Sequence, residues 1–164
     1  MIDGCGDRLM SQHYSRQGIH FHYPDGWTIE ENHSDEGYSA SISPDEDDPI
    51  GAGFWSINRI PIEDDLTAQE VADEVLQAFV DEYDDIDVYP AVEPIAHRHA
   101  IGYDVDFVCL ELTNTAHIRV LPMGSELLLL LTQFTDYESE ELQSLLQEVT
   151  NSLSCSLDAG MAET

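Results

Sequence analysis

Two pairs of histidines stand at strand spacing, His20 and His22 in IHFHY and His97 and His99 in AHRHA. In an extended chain, residues i and i+2 project from one face, so each pair can present two imidazoles to one zinc or nickel ion. Asp104 and Asp106 share a face in the same way. If their strand pairs with the His97–His99 strand across Gly102, a mixed His/Asp cluster results. The competing reading makes all of these polar residues on the wet faces of half-exposed strands, because the sequence places no third ligand beside either pair.

Other chemistry is thinner. Carboxylate pairs serve general acid/base catalysis, but among 34 acidic residues pairs arise by chance. The acidic runs Asp45–Asp48 and Asp81–Asp87 lack the central glycine and terminal glutamate of an EF-hand loop and read as solvated loops. There is no G-x-S-x-G elbow, P-loop or G-x-G-x-x-G. Cys109, in a strand beside Phe107, reads as a core thiol. Sequence alone therefore assigns no catalytic, cofactor-binding or metal-ligating residue and no cofactor, and the chain reads as non-enzymatic.

Composition narrows the partners. The 164 residues carry 34 Asp and Glu against five basic residues, a formal charge of −29. All five are arginine (Arg8, Arg16, Arg59, Arg98, Arg119). That field repels nucleic-acid phosphates and anionic lipid, leaving no nucleic acid and no membrane as partners and a basic protein surface as the natural one. A solvated acidic coat, including one adapted to salt, is the simpler reading of the same charge. Cys5, Cys109 and Cys155 lie far apart, and the N-terminus has no apolar core of a secretory signal. Reduced thiols and a cytoplasmic location are the expectations.

The elements follow from periodicity. Leu127–Leu131 is apolar on both faces of any strand it forms and predicts a central strand covered on both sides. Two amphipathic helices are available to cover it. The first is capped by Thr67 and Glu70 in a capping box and buries Val71, Ala72, Val75, Leu76, Phe79, Val80 and Tyr83. The second is capped by Asp136 or Ser139 and buries Leu142, Leu145, Leu146, Val149 and Leu153. Further strands are expected over Gly18–Tyr23, Trp27–Glu31, Gly37–Ser43, Phe54–Ile60, Ala91–His99, Ile101–Asn114 and Ala116–Met123, with a hairpin at Asn114–Thr115 and a loop over Pro44–Pro49. Of Phe54 and Trp55, on opposite strand faces, one lies under a helix or is exposed. Tyr23, Trp27, Phe54 and Trp55 read as core aromatics. Residues 1–17 are expected to be irregular, with Met10 an alternative start, residues 18–155 a single domain, and 156–164 a polar tail.

The run Phe21-His-Tyr-Pro-Asp-Gly-Trp27 is a strand, a Pro-x-Gly turn and a tryptophan opening the next strand. With the mid-chain helix, three long antiparallel strands and a terminal helix ending Asn151-Ser-Leu-Ser154, residues 18–155 resemble the PsbP-like family, which includes Mog-type Ran-binding factors and bacterial DcrB-like proteins. The resemblance implies an α+β fold, an antiparallel sheet with helices on both faces (an α/β/α sandwich), and a non-enzymatic binding or assembly module. It carries over the structural positions Tyr23, Pro24, Gly26 and Trp27. The lysine-rich surface and export signal of photosystem members are missing here, and nothing points to the nuclear-import role.

Overall fold

Five leucines in a row have no polar face to offer water, and they sit in the middle of the main sheet. In the computed structural model, which describes residues 12–16, 18–34, 37–45, 53–135 and 140–155, strand β9 (Glu126–Thr135) is fourth of seven in an antiparallel sheet. The order is β3 (Thr28–Ser34), β4 (Gly37–Ser43), β5 (Gly53–Pro61), β9, β8 (Leu112–Met123), β7 (Arg98–Cys109) and β6 (Asp87–Ile95). Leu127, Leu128 and Leu130 are at most 3% exposed.

Alternation along β9 sends its leucines into two separate cores. Leu128 and Leu130 join Trp55, Ile57 and the buried face of helix α2 (Glu140–Ser152), formed by Leu142, Leu145, Leu146 and Val149. Leu127, Leu129 and Leu131 face helix α1 (Ala68–Glu82), which also covers Val105, Phe107, Ala116, Ile118 and Val120. The helices lie on opposite faces, and the α+β sandwich expected from the leucine run is the one observed.

The capping box of α1 is closed. The Glu70 N–H donates to Thr67 Oγ1 at 3.1 Å, and the Thr67 N–H donates to Glu70 Oε1 at 3.0 Å. The helix stops at Glu82, its last turn without a basic residue to meet the negative end of its dipole. Only the margin of the expected stripe differs: Val80 is 42% exposed, because at about 100° per residue it falls beyond the edge of the buried arc. On β7, the Tyr103 hydroxyl donates to Asp73 Oδ1 at 2.6 Å and docks the first turns of α1.

The layer on the α2 side is shared with a second sheet, β1 (Gln12–Arg16), β2 (Ile19–Tyr23) and the two-residue β10 (Ser154–Cys155), in the order β1-β2-β10. β1 corrects the expectation that residues 1–17 are irregular. It pairs along its whole length with β2, from Gln12↔Tyr23 to Arg16↔Ile19. One inward side chain, Tyr14, is too little for a sequence pattern, yet it stacks on Phe21 at 4.7 Å, and Phe21 packs on Trp55 at the same separation. Trp55 is the aromatic under the helix, fully buried, its Nε1 donating to Thr150 Oγ1 at 2.9 Å, while Phe54 is half-buried. Tyr23 is half-buried and Trp27 is buried. The Pro24-Asp25-Gly26 turn forms as expected, with Gly26 at φ 88° and the Trp27 N–H reaching Pro24 O at 3.3 Å.

Two hairpins differ from expectation. The strand expected over Ala91–His99 is broken by a two-residue turn at Ala96–His97. The hairpin expected at Asn114–Thr115 turns instead at Leu110–Glu111. All four turn residues have left-handed φ (52°, 65°, 54° and 67°) although none is glycine. Each such residue is strained by roughly 1 kcal/mol or more, so local preference favoured other positions. The ladders override it: β7 and β8 pair over nine positions from Ile101↔Val120 to Cys109↔Leu112. Asn114 is buried within β8, its Nδ2 donating to Leu112 O. At the sheet edge β6 carries Pro90 and Pro94, which have no N–H to offer a further strand.

No helix among the described residues is long and apolar enough to cross a membrane. Cys5, the Met10 start, the caps Asp136 and Ser139, most of the Pro44–Pro49 loop and the 156–164 tail lie outside the described residues.

Candidate functional site

Helix α2 and the small sheet cover most of this face, including Ile95, Ala100, Leu121 and Met123 at one end of β6–β8, but leave the rest of β6–β8 uncovered. There the strand registers lay out three rows of side chains: Ala91–Gly102–Arg119–Leu130, Tyr89–Asp104–His117–Thr132 and Asp87–Asp106–Thr115–Phe134. The result is a cleft of about 260 Å³, with Leu130, Thr132 and Phe134 as floor, Glu93, His117 and Arg119 on one side, and Gln143, Ser144 and Gln147 of α2 on the other.

Arg119 organises it. The residue is 8% exposed, and a buried guanidinium must have its donors met. Nε donates to Glu93 Oε1 at 2.6 Å, Nη2 to Asp104 Oδ1 at 2.7 Å, and Nη1 to the carbonyls of Ile118 at 3.0 Å and Tyr103 at 3.3 Å. Its neighbour across the ladder is Gly102, where a Cβ would stand 1.8 Å from Ile118 O. The absent side chain is what lets β7 and β8 come so close under the arginine. Below this, Thr115 Oγ1 donates to Asp106 Oδ1 at 2.8 Å.

His117 stands edge-on to Phe134, ring centroids 5.5 Å apart, with Nε2 3.9 Å from Asp104 Oδ1. Burial pushes its pKa below the usual 6.5, against the pull of Asp104. With the folded pKa depressed, the unfolded chain takes up the proton first as pH falls. His117 therefore contributes stability above pH about 6.5 that is lost as pH drops through that value toward the lower folded pKa. Urea midpoints measured between pH about 7.5 and about 5.5 are expected to fall less for His117→Gln than for the unaltered chain. An identical fall would contradict the assignment.

The cleft lining carries one carboxylate, Glu93, one guanidinium, Arg119, and the His117 imidazole. Asp104 and Asp106 stand beside it on β7, so the strand face bordering the cleft sets three carboxylates against one guanidinium and suits a cation or a hydrogen-bond donor. Arg119 is engaged and does not present itself to an anion. At the far end of this face, burial pushes the Tyr38 phenol up to about 12, with Arg59 opposing.

The sequence candidates separate. Asp104 and Asp106 do share a face, but Asp104 meets Arg119 and His117 and Asp106 meets Thr115, rather than His97 and His99. His97 lies in the turn and His99 is exposed opposite Pro94, so the expected mixed cluster does not form. His20 and His22 project together from β2, as expected. Among the described residues, no three His, Cys, Asp or Glu side chains converge as they stand on a point that a metal would occupy. Glu93, His117 and Arg119 were missed by sequence reading. The available signal was the polar His117-x-Arg119 alternating with Ala116, Ile118 and Val120.

Solved structures place this architecture. Cyanobacterial PsbP (CyanoP) from Synechocystis sp. PCC 6803 superimposes with a TM-score of 0.59 at 17% identity, covering 94% of this chain and 97% of that one. The likeness is one of fold. LpqN, involved in cell envelope biogenesis of Mycobacterium tuberculosis, matches with a TM-score of 0.56 at 12% identity over 83% of this chain and 82% of its own. A Bacteroides thetaiotaomicron protein gives 0.60 at 12% identity over 90% of this chain, which spans about half (49%) of that longer molecule. No family model and no curated protein matches the sequence. The PsbP-type fold expected from the Tyr23–Trp27 turn and the order of elements is thus present.

Proposed function

We propose that this chain is a non-enzymatic binding module that takes a basic protein segment into the cleft between α2 and strands β6–β8. The observation that carries the reading is the lopsided charge of the strand face bordering the cleft, where Glu93, Asp104 and Asp106 stand against Arg119 alone. Arg119 is already matched by Glu93 and Asp104, leaving Asp106 and the general −29 field uncompensated. Such a surface steers a cationic partner and fixes its register more than it adds raw affinity. The apolar floor of Leu130 and Phe134 then accommodates the aliphatic stem of a lysine or arginine beneath its charged head. Structural neighbours of diverse description on one fold are consistent with a binding scaffold and name no partner for this chain.

The test is calorimetric titration of the whole chain with a lysine-rich peptide at low and high salt. Binding is expected to weaken with salt, and an Asp106→Asn variant with Gln143→Ala is expected to bind several-fold more weakly. A control with Glu74→Gln and Glu82→Gln on the outer face of α1 removes the same kind of charge away from the cleft. Equal weakening by both variants would assign the binding to the diffuse acidic coat and sink the cleft as a specific site.

A further inference from the structure

The outer face of the small sheet holds three imidazoles that neither the core nor the cleft uses. The β1–β2 register sets His13 directly opposite His22, with His20 two residues along β2 on the same side. Inward positions are taken by Tyr14, Ile19 and Phe21, so all three histidines project outward. The ring centroid of His13 lies 4.7 Å from that of His22 and 6.2 Å from that of His20. Two imidazoles bound to one ion through nitrogens at about 2.1 Å, with tetrahedral angles, hold their centroids about 5 Å apart. The backbone already supplies that spacing for His13 and His22, while His20 must close by about 1 Å toward His13.

We propose that His13, His20 and His22 form a site for a divalent transition cation of the zinc type, with three imidazole ligands and water in the fourth position. As they stand, the rings lie nearly parallel, 21° between planes, and their nitrogens do not converge. Binding turns the rings about their side-chain bonds. His13 and His22 are exposed, and exposed side chains change rotamer on the nanosecond scale. The strands beneath are held: the His22 N–H donates to Ser152 Oγ at 2.9 Å, and β10 pairs with β2 beside His20. Ser15 Oγ lies 2.8 Å from His20 Nδ1, an outer hydrogen bond of the kind that orients a ligating ring. The acidic chain concentrates cations generally, while imidazole ligands select zinc, copper or nickel over calcium and magnesium. This site is independent of the cleft and of the partner proposed for it.

The experiment is calorimetric titration of the full chain with zinc chloride in excess magnesium, which occupies the carboxylates. One zinc site is expected. His13→Gln, His20→Gln and His22→Gln are each expected to weaken it by about tenfold or more, and His99→Gln to leave it unchanged. Nitrogen-15 spectra of the histidine rings of the unaltered chain provide a readout that needs no variant to fold. Zinc is expected to shift the ring nitrogens of His13, His20 and His22 and to leave those of His97, His99 and His117 in place. Undiminished zinc affinity in a His13→Gln, His22→Gln double variant, or shifts confined to the other histidines, would overturn the site.

Discussion

Gly102→Ala is expected to lower stability by about 3 kcal/mol or more, which for a domain of this size moves the melting temperature by roughly 10 °C. An alanine Cβ at this position stands 1.8 Å from Ile118 O and 2.7 Å from Ile118 C. Those are backbone atoms inside a ladder, so no side chain can swing aside; β7 and β8 must separate where Tyr103↔Ile118 and Gly102↔Arg119 pair. The separation also moves Arg119, whose Nη1 donates to that same Ile118 carbonyl. Thermal melts and urea midpoints read the effect directly. A change below about 1 kcal/mol would mean that the strands part easily, and that Gly102 is not what sets their approach.

Arg119→Ala is expected to cost about 2 kcal/mol, less than the 3–5 kcal/mol of breaking a fully buried ion pair. The reduction is set by the partners. The Arg119 side chain is 9% exposed, but those of Glu93 and Asp104 are 28% and 37% exposed and regain water once the guanidinium has gone. Arg119→Met keeps much of the aliphatic stem and is expected to recover part of the loss, separating packing from charge. Binding should move the other way. With Glu93 and Asp104 released, the cleft becomes more negative, and the lysine-rich peptide is expected to bind Arg119→Met more tightly than the unaltered chain. A variant both as stable and as weakly binding as the original would show that the arginine organises neither the sheet nor the cleft.

What could be read from the sequence depended on how far each signal reached along the chain. The leucine run, the capping box at Thr67 and the heptad-like leucines of the last helix are local patterns of burial, and they recur in the structure in their expected places. The hairpin at Asn114–Thr115 failed for the opposite reason. Asparagine and threonine are good turn residues, but a nine-position ladder outweighs a single turn preference and carries the reversal to Leu110–Glu111. β1 was invisible because its contribution is one tyrosine on one face. The cleft was half legible. Asp104 and Asp106 were seen to share a face, but which histidine they would meet depends on the register with β8 and not on spacing within β7. His13 likewise joins His20 and His22 only through pairing of two strands whose alternation is too short to read.

The pairing of Ser154 with His20 has a consequence for how the molecule is made. It joins residues separated by most of the chain, and closing so long a loop costs about 4 kcal/mol in entropy. The contact cannot form during synthesis until residue 154 has emerged from the ribosome. β10, the last strand among the described residues, therefore fastens one of the first, and a nascent chain stopped just short of it holds β2 against α2 without that clasp.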